Sequence, residues 1–553
     1  MQTIIVIGGL SAGPSAAAKA RRVNEHARII LFEKTSHISY ATCGIPYSLS
    51  GAISDTDKLM VVKPQLLQER FGIEVHLEEP VIDIDPDQKQ VITPKEVYKY
   101  DQLIYATGAK PFVPPIQNLD KAANWSNCRT IEDLEKMIND GILSERKNIA
   151  ILGGGLIGIE AAENLREAGK NVALIELASS ILSAWDFQFG RFAEEVLKDK
   201  RINVITGQSI KSIELANNEI ISANVGKQKI EVDYLLMGIG GKPNTDLLLK
   251  HHAEHLPNGA LIVNEKMETS IPDIYAAGDC ASIKNLITGE PAFFPMGTHS
   301  NKGGRTAGAN AAGGSEKFKG AYGTAIVKVF DYTLGRTGIN RQMAEKNNIS
   351  FNSSFFIGPA SPGFYPGASD LFVELYFDPE TEVILGAEIF GKKGVDKRID
   401  VLSTAIYAQL KLSDLQNLDL AYAPPYSPAK DPVIMAGYIA KNANEHYREI
   451  SPLDLAGQTN ESWQIVDVRN EEEIMKNGRI PQAKHIPLDD LRKEIGSLQN
   501  KPVVFYCAKG LRGYLASMIA MHHGFKEIYN LSGGFTHWKM LNLNIENEDP
   551  VII

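Results

Sequence analysis

In the N-terminal half of the chain, Cys43 is the strongest candidate for a reactive side chain. It lies in the run Ile38-Ser39-Tyr40-Ala41-Thr42-Cys43-Gly44-Ile45-Pro46-Tyr47. An enzyme that works with a dithiol needs a second nearby thiol to resolve the disulfide that it forms. The next cysteine, Cys128, lies far downstream and in no paired spacing. The sequence therefore predicts that the second sulfur comes from outside the chain, or that Cys43 cycles through an oxidised form of its own sulfur. A small buried apolar cysteine is the alternative interpretation of this run alone.

Cys507 is a second candidate, because it follows an apolar run typical of a buried strand, Pro502-Val503-Val504-Phe505-Tyr506. The residues after it, Ala508-Lys509-Gly510-Leu511-Arg512-Gly513, lead into a predicted helix. Successive backbone N–H groups of the loop, the helix N-terminus, Lys509 and Arg512 all favour a thiolate at Cys507. The pattern predicts a pocket that can hold a persulfide anion.

Two glycine turns indicate the elements that would deliver electrons to these sulfurs. In the first, an apolar strand at residues 3–7 runs into Gly8-Gly9-Leu10-Ser11-Ala12-Gly13 and then into an Ala-rich helix over Pro14 to Arg22. Such a turn, with Gly8 and Gly13, lets backbone N–H groups meet a pyrophosphate. Glu33 ends the next predicted strand, about 20 residues on, where an acid accepts a ribose hydroxyl. Leu10 stands where the pattern has its second glycine.

The second turn is stricter, since Gly153, Gly155 and Gly158 follow the strand at residues 148–152 and precede a helix through Glu163. The next predicted strand ends on Glu176. An acid there accepts from a free 2'-hydroxyl and repels a 2'-phosphate, so the sequence favours NADH and leaves NADPH open. Two such sites predict hydride transfer between two bound cofactors.

Two further segments have the form of a strand that runs into a glycine turn: Leu103 to Gly108, which includes Thr107, and Thr269 to Asp279. With the two fingerprints, they resemble the two-dinucleotide disulfide oxidoreductase family over about residues 1 to 445. The resemblance implies FAD in the first fold, with Gly8, Gly13, Glu33, Thr107, Gly108 and Asp279, and nicotinamide in the inserted second fold. In that family the aspartate equivalent to Asp279 binds the ribityl chain. Cys128 and Cys280 are then expected to be packing residues.

Residues from about 325 to 445 contain strand-like runs, Ala325 to Phe330 and Leu371 to Tyr376, and a helix-like segment from Ile399 to Leu410. The family resemblance implies a dimerisation domain that completes the active site of the partner subunit. Tyr365 and Tyr422 lie in Pro- and Gly-rich loops, from which a tyrosine hydroxyl can donate to a thiolate or a leaving sulfur. Without the resemblance, both tyrosines would be interpreted as interface packing.

The single cysteine limits which branches of the family this chain can resemble. Peroxidases and oxidases of this fold usually carry a histidine in the first glycine turn, where this chain has Leu10 and Ser11. The run SYATCGIPY, with Tyr365, Tyr422 and Lys430, resembles coenzyme A-disulfide reductases, which hold the cysteine as a mixed disulfide with CoA. That resemblance implies a CoA site lined by Ser15, Lys19, Arg22, Ser39, Thr42 and Lys430. From spacing alone, Lys19 and Arg22 are ordinary cations on a helix surface.

The sequence turns polar around Asn442 to Glu461, and a unit of about 100 residues follows. Its features are Asp467-Val468-Arg469, the loop from Cys507 to Arg512, the turn from Leu531 to Phe535, and Trp538. These resemble a rhodanese domain. A related phosphatase family has one more residue between its cysteine and arginine, so the spacing here fits the sulfur-handling version. An inactive module kept for binding would commonly lack the cysteine.

Composition limits the possible partners and the compartment. The 553 residues, 44% hydrophobic and 22% charged, predict several soluble globular domains. The net charge of -10 and pI near 5.7 argue against nucleic acid or an anionic membrane as main partner. The four cysteines form no disulfide framework and no paired metal spacing, and no apolar run approaches about 18 residues. We therefore expect a cytoplasmic protein without a metal site.

Together these features predict an α/β protein with two Rossmann-like dinucleotide-binding domains, an α+β dimerisation domain and a C-terminal α/β rhodanese domain. The predicted boundaries are 1–112 and 261–324 for the FAD-binding domain, 113–260 for the NAD(P)H-binding domain, 325–445 for the dimerisation domain and 446–553 for the rhodanese domain.

The predicted function is FAD-dependent reduction of CoA disulfide, CoA persulfide or polysulfide by NAD(P)H, with sulfur transfer at Cys507 and release of CoA thiol and sulfide. Cys43, Cys507, Tyr365, Tyr422 and Arg512 are the predicted catalytic residues, and a homodimer would share its active sites across the interface. The fusion to a domain that holds sulfane sulfur favours persulfide over plain disulfide. Two alternatives stay open: an NADH oxidase or peroxidase that cycles a Cys43 sulfenic acid, and a redox-sensing or sulfur-relay binding protein.

Overall fold

The computed structural model describes residues 1–458, 463–499 and 501–546. Residues 459–462, 500 and 547–553 of the predicted rhodanese domain, and with them the end of the polar stretch that closes on Glu461, lie outside this description. The chain divides into two compact units. The first contains residues 1–181 and 200–323, and the second contains residues 182–199 and the described residues from 324 onward.

The first unit contains two five-stranded parallel sheets with the same plan. In one, the order is β18-β7-β1-β2-β3, with β1 (Thr3–Ile7), β2 (Arg28–Phe32), β3 (Glu74–His76), β7 (Gln102–Tyr105) and β18 (Ile274–Ala276). In the other, the order is β12-β11-β10-β16-β9, with β9 (Trp125–Asn127), β10 (Asn148–Leu152), β11 (Asn171–Ile175), β12 (Asn203–Ile205) and β16 (Tyr234–Met237). In each sheet the central strand leads into a glycine turn and a helix, as the fingerprints predict.

Each parallel sheet is accompanied by a three-stranded antiparallel sheet. These are β4 (Asp83–Asp85), β5 (Gln90–Ile92) and β6 (Val97–Lys99) for the first, and β13 (Ile210–Ala216), β14 (Glu219–Val225) and β15 (Gln228–Glu231) for the second. Two short pairs complete the unit: β8 (Ala109–Pro111) with β17 (Gly241–Pro243), and β19 (Ile283–Lys284) with β20 (Pro291–Ala292).

Helices on one side of the sheet and strands on the other explain why β1 is apolar from Ile4 to Ile7. Ile4 and Val6 pack with the alanines of α1 (Ala12–Val23) and α8 (Gly297–Ala311), whereas Ile5 and Ile7 pack with the residues of β4 and β5. The remaining helices of the unit are α2 (Ile45–Ser48), α3 (Pro64–Phe71), α4 (Ile131–Asn139), α5 (Leu156–Glu167) and α7 (Asp246–Leu249).

The second unit begins with an antiparallel sheet of order β21-β22-β25-β24-β23. Its strands are β21 (Ala325–Val329), β22 (Tyr332–Gly338), β23 (Asn352–Pro359), β24 (Asp370–Phe377) and β25 (Ile384–Gly391). The helices of this part are α6 (Phe187–Asp199), α9 (Arg341–Lys346), α10 (Val395–Tyr407), α11 (Leu412–Gln416) and α12 (Pro432–Glu445).

A parallel sheet of order β26-β30-β29-β27-β28 forms the C-terminal part of the second unit. Its strands are β26 (Arg448–Ile450), β27 (Gln464–Asp467), β28 (Lys484–His485), β29 (Val503–Tyr506) and β30 (Ile528–Leu531). The helices are α13 (Pro452–Ala456), α14 (Glu471–Asn477), α15 (Leu491–Glu494), α16 (Leu511–His522) and α17 (Gly534–Met540). Apolar clusters cover both faces of this sheet.

Several predicted elements differ in their limits, and three of them show the physical reason. Helix α1 begins at Ala12, before the predicted start at Pro14, because proline is tolerated in the first turn of a helix. Helix α10 begins at Val395 after Gly394, which has a φ of +72°, and ends at Tyr407 rather than at Leu410. The predicted strand from Thr269 is shortened to Ile274–Ala276, since Asp273 has a φ of +62° and turns the chain.

Candidate active sites

The two glycine turns are closed by the same backbone contacts. Gly8 and Gly153 have φ angles of +108° and +113°, which a residue with a Cβ rarely adopts. A Cβ on Gly13 would lie 1.8 Å from the carbonyl oxygen of Gly8, and a Cβ on Gly158 would lie 1.9 Å from that of Gly153. Each helix therefore starts directly behind its turn, which suits the binding of a pyrophosphate at the helix N-terminus.

The second turn has an open position that the first lacks. A Cβ built on Gly155 would meet no atom within 4 Å, so a phosphate could approach the backbone there. Leu10 occupies the corresponding position of the first turn, as the sequence indicates.

Glu33 and Glu176 are held by equivalent hydrogen bonds. Oε2 of Glu33 accepts from the N–H of Gly9 at 2.7 Å, and its Oε1 accepts from the N–H of Thr35 at 2.9 Å. Oε2 of Glu176 accepts from the N–H of Gly154 at 2.6 Å, and its Oε1 accepts from the N–H of Ala178 at 2.8 Å. Each carboxylate is thus fixed beside its own glycine turn, where an acid can accept from a ribose hydroxyl.

Asp279 follows the turn at Gly278 and is surrounded by polar groups that the sequence did not reveal. Nη2 of Arg129 lies 2.8 Å from one carboxylate oxygen, and Oγ of Ser300, on α8, donates to the other at 3.4 Å. Thr107 donates to the carbonyl oxygen of Asn244 at 2.6 Å and precedes Gly108, which has a φ of +66°. These groups come from separate segments of the chain, so no local motif could identify Arg129 or Ser300.

Cys43 is presented to solvent on a 3-10 turn, Thr42–Gly44, directly before α2. The turn is closed by the N–H of Gly44, which donates to the carbonyl oxygen of Ala41 at 3.0 Å. A Cβ on Gly44 would lie 2.4 Å from Leu59, so the turn packs tightly on its inner side. The buried-cysteine alternative is therefore wrong for Cys43.

The other two cysteines of the first unit are buried. Burial raises the pKa of the Cys128 thiol to about 12 and that of the Cys280 thiol to about 11. Sγ of Cys280 also donates to the carbonyl oxygens of Tyr105 and Ala277, at 3.3 Å each. Neither thiol can readily form a thiolate, which supports their prediction as packing residues.

Tyr47 and Glu160 form a pair near Cys43 that sequence reasoning missed. The hydroxyl of Tyr47, on α2, donates to Oε1 of Glu160, on α5, at 3.0 Å. Burial, and then the neighbouring Glu160 carboxylate, raise the pKa of Tyr47, and burial raises the pKa of Glu160. The pair ties the helix after Cys43 to the helix of the second glycine turn.

The predicted CoA-site residues of the first unit lie in two places. Ser15, Lys19 and Arg22 follow one another along α1, whereas Ser39 precedes the Cys43 turn and Thr42 is its first residue. Oγ of Ser15 donates to Asn301 at 2.6 Å, and the ammonium of Lys19 lies 2.6 Å from the carboxylate of Glu316. Arg22 is exposed, and its Nε donates to the carbonyl oxygen of Ala18 at 3.0 Å.

Tyr365, Tyr422 and Lys430 belong to the second unit and are exposed. Tyr365 lies in the loop between β23 and β24, where its N–H donates to the carbonyl oxygen of Pro362 at 2.9 Å. Tyr422 is 53% exposed, a large value for a tyrosine ring. Solvent-facing tyrosines are available to a second molecule, which is what the prediction of a shared site requires.

Cys507 lies at the end of β29 and is 3% exposed. The N–H of Gly510 donates to its Sγ at 3.2 Å, and the loop is held from the other side by the N–H of Phe535, which donates to the carbonyl oxygen of Cys507 at 2.8 Å. Gly510 has a φ of +116°, which allows the loop to turn its N–H inward. The geometry suits a sulfur anion that is enclosed and hydrogen-bonded.

Charged residues surround this sulfur loop, defined as residues 507–512. Both terminal nitrogens of Arg512 lie 2.7 Å from the carboxylate of Glu473, and hydrogen bonding to Glu473 raises the pKa of the guanidinium. Lys509 lies 2.6 Å from Asp370. Glu473 and Asp370 were not predicted as site residues, although Glu473 closes a capping box with Asn470 at the start of α14, a pattern that a sequence can show.

The Asp467-Val468-Arg469 signature is a structural element of this site. The buried guanidinium of Arg469 lies 2.6 Å from Asp467 and 4.0 Å from the centre of the Phe535 ring. A cavity of about 480 Å³ opens beside the sulfur loop and is lined by residues that include Arg469, Glu473, Ala508, Phe535 and Thr536. The cavity gives a substrate room to approach the loop.

Family models match nearly the whole chain. Residues 2–301 match the model for pyridine nucleotide-disulphide oxidoreductase, residues 324–432 match the dimerisation domain of that family, and residues 451–541 match the rhodanese-like domain. The chain belongs to the pyridine nucleotide-disulphide oxidoreductase family. The predicted fold class, family and C-terminal rhodanese domain are confirmed. Membership of this oxidoreductase family implies FAD at the first dinucleotide site and a pyridine nucleotide at the second.

Two similar solved structures match almost the whole chain. The crystal structure of reduced Bacillus anthracis CoADR-RHD matches with a TM-score of 0.93 and 32% identity over 98% of both chains. A NAD-dependent persulfide reductase from A. fulgidus matches with a TM-score of 0.89 and 33% identity, over 97% of this chain and all of that one. The NAD(P)H coenzyme A polysulfide/persulfide reductase of Pyrococcus horikoshii is 34% identical over 79% of this chain and 98% of its own length.

A relative with another name also belongs to this oxidoreductase family. The NADH oxidase of Methanocaldococcus jannaschii is 32% identical over 78% of this chain and 97% of its own length. Its 441 matched residues are too few to span both the oxidoreductase part and the rhodanese-like domain.

In the described ranges of this chain, no helix combines the length and apolar character needed to cross a bilayer.

Proposed function

We propose that this flavoprotein uses NAD(P)H to reduce a persulfide, polysulfide or disulfide of coenzyme A at Cys43 and that its C-terminal domain transfers sulfane sulfur through Cys507. The observation that carries the proposal is the pairing, in one chain, of an exposed single cysteine with a second cysteine enclosed in an anion-binding loop. The relatives whose names include persulfide reductase support the same substrate class.

The residues of the first glycine turn fit a flavin nucleotide and those of the second fit a nicotinamide nucleotide, which together would supply two electrons to sulfur. Glu33 and Asp279 would hold FAD, together with Gly8, Gly13, Thr107 and Gly108. Glu176 would hold the ribose of the nicotinamide nucleotide, together with Gly153, Gly155 and Gly158. The acid at Glu176 favours NADH over NADPH.

Cys43 performs the exchange of sulfur bonds. Its thiolate attacks the CoA-bound sulfur of the substrate, a mixed disulfide with CoA forms, and sulfide or a second thiol leaves with the electron pair of the broken bond. Two electrons and a proton then release CoA thiol and regenerate the Cys43 thiolate. Ser15, Lys19, Arg22, Ser39, Thr42 and Lys430 would bind CoA, and Tyr365 and Tyr422 would donate a proton or hydrogen bond to the leaving sulfur.

Cys507 carries sulfane sulfur as a persulfide. Its thiolate attacks the outer sulfur of a donor, the donor's own sulfur bond breaks, and the leaving group takes the electron pair. The N–H of Gly510 and the nearby Arg512 would stabilise the persulfide anion. The product can then be passed to CoA or a related thiol.

The test is anaerobic oxidation of NADH by the full-length holoenzyme with CoA persulfide, CoA disulfide, polysulfide and hydrogen peroxide in parallel. We expect rapid turnover with the sulfur substrates, loss of it in Cys43→Ser, and retention in Cys128→Ala, which alters a buried thiol. Rapid turnover with peroxide alone would favour the NADH oxidase or peroxidase alternative, against which Leu10 and Ser11 argue because neither can act as a base. Flavin reduction without repeated turnover on any substrate would favour the sensing or relay protein.

We further propose a cytoplasmic homodimer with shared active sites, supported by the dimerisation-domain match and the free thiols. Subunit exchange between Cys43→Ser protein and Tyr365→Phe/Tyr422→Phe protein tests the sharing. If each site takes Cys43 from one subunit and the tyrosines from the other, half of the mixed dimer's sites are intact and activity returns. No recovery on mixing, with exchange shown by mass, would contradict it.

A further inference from the structure

Both cations of the sulfur loop are already paired with carboxylates. The ammonium of Lys509 lies 2.6 Å from Asp370, and Arg512 makes two 2.7 Å contacts with Glu473. The loop thus contains the positive charges expected of a site for anionic sulfur, but each has a partner. The attraction that they exert on a further anion is therefore reduced.

Asp370 is supplied by the antiparallel sheet and not by the sheet that carries Cys507. It is the first residue of β24, opposite Pro359 of β23, and it follows directly the loop that contains Tyr365. That loop is closed by the N–H of Ala360, which donates to the carbonyl oxygen of Ser369 at 2.8 Å. Asp370, which lies next to the loop of Tyr365, therefore pairs with Lys509 of the sulfur loop.

Aromatic packing also joins β23, the neighbour of β24, to the turn that holds Cys507. The rings of Phe355, on β23, and His537, on α17, stack with centroids 4.0 Å apart. A Cβ on Gly533 would lie 2.6 Å from the Phe355 ring, and the following turn supplies the Phe535 N–H that holds Cys507. Two contacts from the same sheet thus converge on the sulfur loop, so the approach of Asp370 to Lys509 is part of a packed junction.

We infer that Asp370 is a specificity-determining residue of the Cys507 site. By pairing with Lys509, it weakens binding of dianionic sulfur donors, such as thiosulfate, and so favours an organic persulfide whose carrier is uncharged. The inference deepens the proposed function and depends on Cys507 being a sulfur acceptor. In both cases the Cys507 thiolate attacks the outer sulfur and forms the new bond, while sulfite or an organic thiolate leaves with the electron pair. The two donors therefore differ in recognition and not in chemistry.

The expected effect is modest because the pair is partly exposed. The side chains of Lys509 and Asp370 are 47% and 33% accessible, so water and salt screen their charges. Removing the Asp370 carboxylate, which leaves the Lys509 ammonium unpaired, is expected to lower the KM for a dianion about two- to fivefold at low ionic strength. The change should vanish at about 1 M salt, where screening extends to contact distances.

The test measures the formation of thiocyanate by the full-length holoenzyme, with cyanide as the sulfur acceptor. Two donors are compared: thiosulfate, and the persulfide of N-acetylcysteamine, which is uncharged apart from its terminal sulfur. In Asp370→Asn the KM for thiosulfate should fall about two- to fivefold, with little change for the persulfide. In Lys509→Gln, which leaves the Asp370 carboxylate unpaired beside the loop, the KM for thiosulfate should rise. Asp490→Asn, which removes an exposed charge distant in sequence from both partners, should match wild type.

The double variant Asp370→Asn/Lys509→Gln separates a charge effect from a structural one. If the effect is one of charge, the double variant, in which both charges of the pair are removed, should have a thiosulfate KM close to that of wild type. The inference is overturned if Asp370→Asn leaves or raises the thiosulfate KM, if it shifts both donors equally, or if the double variant keeps the raised KM of Lys509→Gln. Absence of thiocyanate from both donors with wild type would overturn the proposed role of Cys507 itself, and this inference with it.

Discussion

Cys43 and Cys507 are two sulfur sites built on opposite principles. Cys43 lies exposed on a single 3-10 turn, whereas Cys507 is 97% shielded and receives a backbone N–H within its loop. A thiolate that must meet a large disulfide needs access, whereas a persulfide that must survive between two reactions needs enclosure and hydrogen bonds. Under the proposed roles, exposure and backbone hydrogen bonding together would separate sulfur cleavage at Cys43 from sulfur storage at Cys507 within one chain.

The largest expected difference between the sites concerns Arg512. In Arg512→Gln we expect sulfur transfer from the persulfide donor to cyanide to fall about 100-fold, since a charged group beside the developing sulfur anion is lost. NADH-dependent reduction at Cys43 should remain unchanged. Arg492→Gln, at an exposed cation on α15, is the matched control. Equal losses of both activities would show that the two cysteines do not work as separate sites.

The stability of the second unit, which contains Cys507, should depend more strongly on pH than that of the first unit, which contains Cys43. The reason is Glu449 of the second unit. The carboxyl of this half-buried residue accepts from the N–H of Phe355 at 3.2 Å, and desolvation by burial raises its pKa to about 8. Below about pH 4.3 both the folded and unfolded states hold the proton, and between there and about 8 only the folded state does, so its stabilising effect is lost as the pH rises through this window.

Glu449→Gln should therefore raise the apparent Tm at pH 8 by several degrees relative to wild type and flatten its decline between pH 5 and 8. Differential scanning calorimetry of the holoenzyme measures this. Glu472→Gln, at an exposed acid on α14, should retain the wild-type slope. An unchanged slope in Glu449→Gln would mean that Glu449 is charged in the folded protein.

Exposure can be compared directly by alkylation. Brief treatment of the NADH-reduced protein with iodoacetamide should modify Cys43 about tenfold faster than Cys507, since reagent access limits the buried thiol. Cys128 and Cys280 should react more slowly still, because burial raises the pKa of both thiols. Peptide mass spectrometry over time gives the four rates. Faster labelling of Cys507 would show that its loop opens readily in solution.

The smallest expected effect is at Tyr47, which positions the helix behind Cys43. Tyr47→Phe removes one hydrogen bond to Glu160, and we expect about a threefold loss in NADH-dependent reduction, in keeping with the net value of about 1 kcal/mol for such a bond. Sulfur transfer through Cys507 should not change. Tyr407→Phe, at an exposed ring on α10, provides the control. A change in sulfur transfer would contradict the separation of the two sites.

Local patterns predicted the parts of the molecule that depend on neighbouring residues in the chain. The two glycine turns required glycine at Gly8 and Gly153 for their positive φ angles, and required no side chain at Gly13 and Gly158, where a Cβ would clash with the turn. Because these requirements act within a few residues, they appear as fixed spacings. The apolar strands before each turn were equally readable, since parallel strands are covered on both faces.

The sequence by itself determined that a lone cysteine, Cys43, lies within the first dinucleotide fold and that Cys507 begins a short glycine-containing loop before a helix. Only the tertiary structure decided that Cys43 is exposed, that Asp279 is paired with Arg129, that Tyr47 reaches Glu160 and that Asp370 holds Lys509. Exposure and ion pairing are set by residues more than 100 positions apart, and no local propensity records which distant side chains the packing of sheets and helices will bring within 3 Å.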